Sequence, residues 1–136
     1  MNLRYHLEAN VLLRFMRDDD RVQSPASARL FASAKAGKVR LAVSAVTVAE
    51  VFYVLARGYR LPKPEAAAKL LAITQSDILE VENRDRIHDA LQRVMAANVD
   101  FGDAYLAATA AARNEAAASF DGDLDAFTDI TTVVPT

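Results

Sequence analysis

Cysteine is absent from this chain of 136 residues. Without thiols there is no disulfide framework and no thiolate zinc site, so any metal must be held by oxygen or histidine. Long apolar runs are missing as well. Arg4, His6 and Glu8 interrupt the first apolar stretch, which excludes a bilayer-spanning segment and a secretory signal peptide and leaves a cytoplasmic protein as the simplest expectation. Surplus basic charge is lacking, and a formal net charge of -2 argues against a strongly basic nucleic-acid coat. Lysine is scarce: of sixteen basic residues twelve are Arg and four are Lys, a bias that suits phosphate contacts but that a high-GC genome also produces. No repeat, low-complexity tract or Gly/Ser-rich linker divides the sequence, so residues 1–136 are expected to form one domain. An apolar fraction of 52% is ample for its core, and 25% charged residues suit an ordinary soluble surface.

What is present alternates between strand and helix signals. Leu3 to Leu7 reads as a strand, followed at once by Glu8-Ala9-Asn10 and a helix through Val11, Leu12, Phe15 and Met16. Asp18-Asp19-Asp20 breaks that helix. Ser24-Pro25 predicts the next start, with a capping hydroxyl and proline at the first helical position, and Gly37 its end. Val39 to Val43 is a second strand, Thr47 to Arg57 a helix closed by Gly58, and a further helix follows Pro62 and Pro64. Ile78 to Val81 is a third strand, with Asn83 placed to cap a helix whose Ile87, Leu91, Val94 and Met95 form one face. Asp103 to Arg113 is an alanine-rich helix, Ala116 to Phe120 a fourth strand, and Thr131 to Val134 a last one. This order predicts a three-layer α/β/α sandwich around a mainly parallel sheet.

The placement of the acids is more informative than their number. Glu8 follows the first strand, Asp121 follows the fourth, Glu50 lies in the first turn of the helix after the second, and Asp103 opens its own helix. In an open parallel sheet the strand C-termini share one edge, outside which ligands bind. Each acid also has a local explanation: Thr47 and Glu50 fit a capping box, Asp100 and Asp103 a cap with a dipole-favoured acid, Asp121-Gly122-Asp123 a turn, and Glu8 a solvated strand end. Four independent caps have no reason to share one edge. Clustered carboxylates raise one another's pKa, and a divalent cation relieves that repulsion. Hard oxygen donors suit Mg²⁺ or Mn²⁺, and such ions can activate water for in-line displacement at phosphorus.

The segments Leu7-Glu8-Ala9-Asn10-Val11-Leu12-Leu13, Ala49-Glu50-Val51, Asp100-Phe101-Gly102-Asp103-Ala104 and Ser119-Phe120-Asp121-Gly122-Asp123 resemble, in order and spacing, the PIN-domain nucleases. The likeness is closest to the VapC-type toxins of bacterial toxin–antitoxin modules. The resemblance implies a PIN-like fold and a Mg²⁺- or Mn²⁺-dependent endoribonuclease, often a homodimer, silenced by a cognate antitoxin. It makes Glu8, Glu50, Asp103 and Asp121 the metal-site carboxylates, with Asp100 and Asp123 as auxiliary acids. Asn10 and Ser119 match polar positions that orient the acids. The family pattern has aspartate where this chain has Glu8. The extra methylene moves the carboxylate by roughly an ångström, against a tolerance of about 0.5 Å for a good catalytic site.

Other features carry less. His6 and His88 read as a strand and a helix-face residue, and Phe15, Phe31 and Phe52 as core. Arg14, Arg17 and Arg21 suit either substrate phosphates or a solvated helix face. The start of a calcium loop at Asp121-x-Asp123-x-Asp125 fails, because Ala126 and Thr132 stand where glycine and glutamate are needed. A phosphoacceptor domain would want a late lysine, yet none lies beyond Lys69. A flap-directed DNA nuclease would want a basic arch, which this short chain lacks. The remaining rival is a catalytically impaired PIN-fold binding module, favoured by Glu8. A dimer face is expected on the helices after Ser24 and Pro62.

Overall fold

A computed structural model describes residues 3–136. Strand β1 (Leu3–His6) pairs in parallel with β2 (Val39–Val43), which pairs in parallel with β3 (Leu79–Val81). A second parallel pair joins β4 (Ala117–Ala118) to β5 (Thr132–Val133). All strand pairing is thus parallel, and six α-helices flank the strands: α1 (Ala9–Met16), α2 (Gln23–Lys35), α3 (Ala45–Tyr53), α4 (Lys63–Thr74), α5 (Arg84–Ala97) and α6 (Phe101–Arg113). This is the parallel α/β arrangement expected from the sequence, its strands falling into sheets of three and two among the described residues. β4 keeps only two of its five expected positions, because alanine offers a strand little packing surface and the Ser119–Asp121 turn follows at once.

A main core lies behind the larger sheet, and a smaller cluster of Ala107, Ala110, Ala117 and Leu124 lies beside β4. Leu12, Leu41, Val43, Phe52, Leu70, Leu79 and Leu91 are all essentially inaccessible to solvent, each worth about 1.5–3 kcal/mol of burial. Phe31 and Phe52 are buried as expected, but Phe15 is 38% exposed, its ring stacked on Phe31 at 3.9 Å. On α5, Ile87, Leu91 and Val94 are buried and Met95 sits at the edge of their stripe. No helix among the described residues is long and apolar enough to cross a membrane.

Several helix starts differ from the sequence reading: α6 begins at Phe101, two residues before Asp103, and Asn83 precedes α5 without a side-chain cap bond. α2 is capped by Asp20, not Ser24: Asp20 Oδ1 accepts from the backbone N–H groups of Val22 and Gln23 at 3.0 and 2.7 Å. Ser24 turns back and accepts from the Asp20 N–H at 3.2 Å. α3 begins at Ala45, because the Ser44 hydroxyl, just past β2, accepts the Thr47 N–H at 3.2 Å. Gly37, at φ 78°, does end α2. Beyond α3 the helix widens into a π turn, Val54–Gly58.

The pleat sends Arg4, His6, Arg40, Ala42 and Glu80 to one face of the larger sheet, where cross-strand register sets them side by side. Helices leave this face partly uncovered, with a cavity of about 730 Å³ reaching from Arg4 and His6 to Glu82 and His88. The opposite face feeds the core through Leu41, Val43 and Leu79.

Candidate active site

Glu8 stands at the junction of β1 and α1. The Leu7 N–H donates to Ala42 O at 2.9 Å, and the buried Thr47 hydroxyl donates to Leu7 O at 3.0 Å, so the end of β1 is pinned to the first turn of α3. Glu8 occupies the N-cap position of α1 but makes no side-chain cap bond, and it is exposed. It shares a shallow hollow of about 260 Å³ with Asn10, Arg14, Gln23 and Ser27. Arg14 is already engaged there, donating to Gln23 at 3.1 Å, Asp19 at 3.2 Å and Tyr59 at 3.3 Å. Tyr59 in turn donates to Asp19 at 2.6 Å.

Glu50 lies in the second turn of α3, since the helix starts earlier than the capping-box reading requires. Ser44 has taken over the capping, so Glu50 is an exposed acid without that duty.

Asp103 lies in the first turn of α6 and is only partly exposed. Burial raises its pKa above the usual aspartate value, and the charges of Asp121, Asp123 and Asp100 raise it further; Lys63 acts in the opposite direction. Three like charges from two segments therefore act on one half-buried carboxyl. Glu8 and Glu50 are not among the main charges acting on it. Asp100, at the N-cap of α6, caps nothing; its carboxylate meets Lys63 Nζ at 3.3 Å and Arg57 Nη2 at 3.9 Å.

Asp121 is set by the turn around it. Ser119 Oγ accepts the Asp121 N–H at 3.2 Å, while the Ser119 N–H is fixed to Val133 O at 3.0 Å across the β4–β5 pair. Asp121 Oδ1 accepts the Asp123 N–H at 2.9 Å, and a 3₁₀ turn over Asp123–Ala126 follows. Between Ser119 and Asp121, Phe120 is 82% exposed, an unusual position for a large ring.

The match that decides the family spans nearly the whole chain: a model of the PIN domain covers residues 5–130. The chain belongs to the PIN-domain family. No curated protein matches this PIN domain. PIN domains are generally metal-dependent nucleases. The donor chemistry here fits a hard divalent cation, because the gathered side chains are carboxylates and one of them is electrostatically uncomfortable. Among the described residues, no three acidic or histidine side chains converge tightly enough to enclose an ion as they stand. Mg²⁺ seldom needs such a cage: it keeps several waters and is held by one or two carboxylates plus substrate phosphate oxygens.

Three residues at the PIN-domain site escaped the sequence reading. Thr47 looked like a helix cap and instead anchors the strand end beside Glu8. Lys63 and Arg57 gave no signal, because only the fold carries them to Asp100.

Proposed function

We propose that this PIN domain is a Mg²⁺- or Mn²⁺-dependent endoribonuclease and the toxin of a type II toxin–antitoxin pair. The observation that carries the reading is Asp103, half-buried among the charges of Asp121, Asp123 and Asp100 at the start of α6. Asp103 and Asp121 would hold the cation, with Glu8 and Glu50 completing the set by side-chain rotation and Asp123 as an auxiliary acid. When bound, the cation would activate water and stabilise the leaving oxygen at phosphorus. Ser119 holds the turn that presents Asp121, and Asn10 stands beside Glu8 at the start of α1. The open ring of Phe120 beside Asp121 suits a single-stranded substrate, whose unpaired bases stack on such faces. A groove of about 510 Å³ between α1, α2 and α4, lined by Phe15, Met16, Phe31 and Ile73, supports an apolar partner surface for the antitoxin or a second copy. A cytoplasmic location accords with an RNA substrate.

The test is Mn²⁺-dependent cleavage of structured RNA by the parent chain and by Asp103→Asn. Loss of cleavage in the variant is expected; equal behaviour of the two proteins overturns the nuclease reading. Glu8 favours a second reading, a PIN scaffold that binds RNA or protein without turnover, because its longer side chain sits in a hollow shared with Arg14. Glu8→Asp keeps or raises cleavage if the site follows the family geometry. A clear loss means the native site is built around glutamate.

A further inference from the structure

Two cations meet one carboxylate beside the acidic mouth, and one of them, Lys63, occupies a position that the helix dipole disfavours. Lys63 is the first residue of α4, at the positive end of the helix dipole, where a cation is repelled. Arg57 rides on the π turn Val54–Gly58, a helix form frequent at functional sites. The chain reaches α4 from that turn only through Arg60, held in the left-handed region at φ 59°. Backbone outliers of this kind gather where function over-determines the chain.

The arm is also registered against the helix that carries Asp103. The Arg57 guanidinium lies over the Tyr53 ring, 4.8 Å from its centroid. The Tyr53 hydroxyl in turn packs against Gly102, where a Cβ would come within 3.2 Å of it. Yet the cations stay reachable: the Arg57 side chain is 73% exposed and that of Lys63 39%. Ion pairs this exposed are weak and exchange readily for a better anion. With two cations on one carboxylate, a positive charge is left over at the rim of a site whose other groups are acids.

We propose that Lys63 and Arg57 grip a backbone phosphate of the RNA substrate at the edge of the acidic mouth, and that Asp100 parks them there while the site is empty. The inference rests on the nuclease reading and assigns Asp100 to positioning the cations. Arg57 offers a planar fork for two phosphate oxygens and Lys63 a point charge. In the empty site Lys63 also tempers the repulsion felt by Asp103.

The test uses the full chain carrying Asp103→Asn, so that RNA survives, and fluorescence anisotropy with a short labelled single-stranded oligoribonucleotide across a salt series. Adding Lys63→Gln or Arg57→Gln is expected to weaken binding roughly tenfold and to flatten the slope of log K against log salt by about 0.7 per cation removed. Mn²⁺ affinity of the otherwise unaltered chain, read by calorimetry, is expected to rise about two- to fivefold on Lys63→Gln, because a positive charge leaves the acids. Circular dichroism confirms that each variant is folded; Lys63→Arg, which keeps the charge, is expected to retain RNA binding. Unchanged RNA affinity and salt slope in folded variants overturn the phosphate grip, and so does weaker Mn²⁺ binding. If the parent still cleaves RNA in that case, the nuclease reading stands without the grip. If the parent neither binds nor cleaves RNA with Mn²⁺ present, both fall.

Discussion

Two charged clusters in this molecule solve opposite problems. On the open face of the larger sheet, Glu80 lies between Arg40, which donates twice at 2.6 and 2.7 Å, and Arg4, which donates at 3.1 Å. Those bonds, Arg40's foremost, hold the Glu80 carboxyl at a pKa of about 2. At the start of α6, Asp103 has burial and three neighbouring acids pushing its pKa up. Opposite charges reaching one another across neighbouring parallel strands complete one another and need nothing from outside. Like charges delivered from separate segments do not, and under the nuclease reading proposed above an external cation would complete them. On that reading the first cluster serves the fold and the second serves chemistry.

The sharpest way to break this contrast is to neutralise one acid in each cluster. Asp103→Asn is expected to lower Mn²⁺-dependent RNA cleavage by roughly a hundredfold or more, since even outer-shell partners of a metal site are worth about 10–100-fold. The same change should remove the thermal stabilisation given by Mn²⁺, which for a parent at about 100 times its Kd amounts to about 2.7 kcal/mol. Glu80→Gln should leave both measurements unmoved. Equal losses in the two variants would mean that the clusters do not differ in kind. A smaller effect is expected of Ser119→Ala: without the hydroxyl that accepts the Asp121 N–H, Mn²⁺ affinity by calorimetry should weaken about tenfold. An unchanged affinity would show that the turn holds Asp121 without Ser119.

The alternation of elements was legible because strand and helix periods differ and each strand but the fourth had β-branched or long aliphatic residues to announce it. The fourth is mostly alanine, which carries almost no strand signal, and there the predicted length contracts to two residues. Helix starts were misplaced where several capping residues compete: Asp20, Ser24, Ser44 and Thr47 are all good caps, and tertiary position decides which is used. Of the proposed site, Asp103 stands out in sequence at a helix start and Asp121 after a strand, while Asp100 and Asp123 enter through the family resemblance. Lys63 and Arg57 could not, because a long-range ion pair has no periodicity. Thr47 was seen but given the wrong task, since a hydroxyl bonded to Leu7 O across the fold looks, in sequence, like an ordinary cap.

Without metal, the two clusters should respond oppositely to neutralisation. Asp103 carries a folded-state pKa above its ordinary value near 3.8, so at neutral pH its charge costs stability. That cost disappears as pH falls through the raised value toward the ordinary one. Metal-free Asp103→Asn is therefore expected to melt a few degrees higher than the parent at pH 7, on the scale of roughly one unfavourable charge in a domain of this size. The gap should close in mild acid. Differential scanning fluorimetry with a chelator present measures it, and a lower Tm at pH 7 would show that Asp103 makes a favourable contact in the empty site.

The smallest effect is expected at Glu80, and its sign is the reverse. Its folded-state pKa of about 2 lies below its ordinary value of 4.5, so its stabilising contribution is complete above that ordinary value and is lost as pH falls toward 2. Because the cluster is solvent-facing, salt should erode it, and Glu80→Gln should cost little at neutral pH. The variant would also leave Arg4 and Arg40 directly opposite each other in register on the same face, two like charges with no anion between them. Arg4→Gln combined with Glu80→Gln should therefore restore part of the lost Tm at low salt and none at high salt. A double variant no more stable than Glu80→Gln at low salt would mean that the two guanidinium groups do not repel, and that the carboxylate is held by the arginines without being needed to keep them apart.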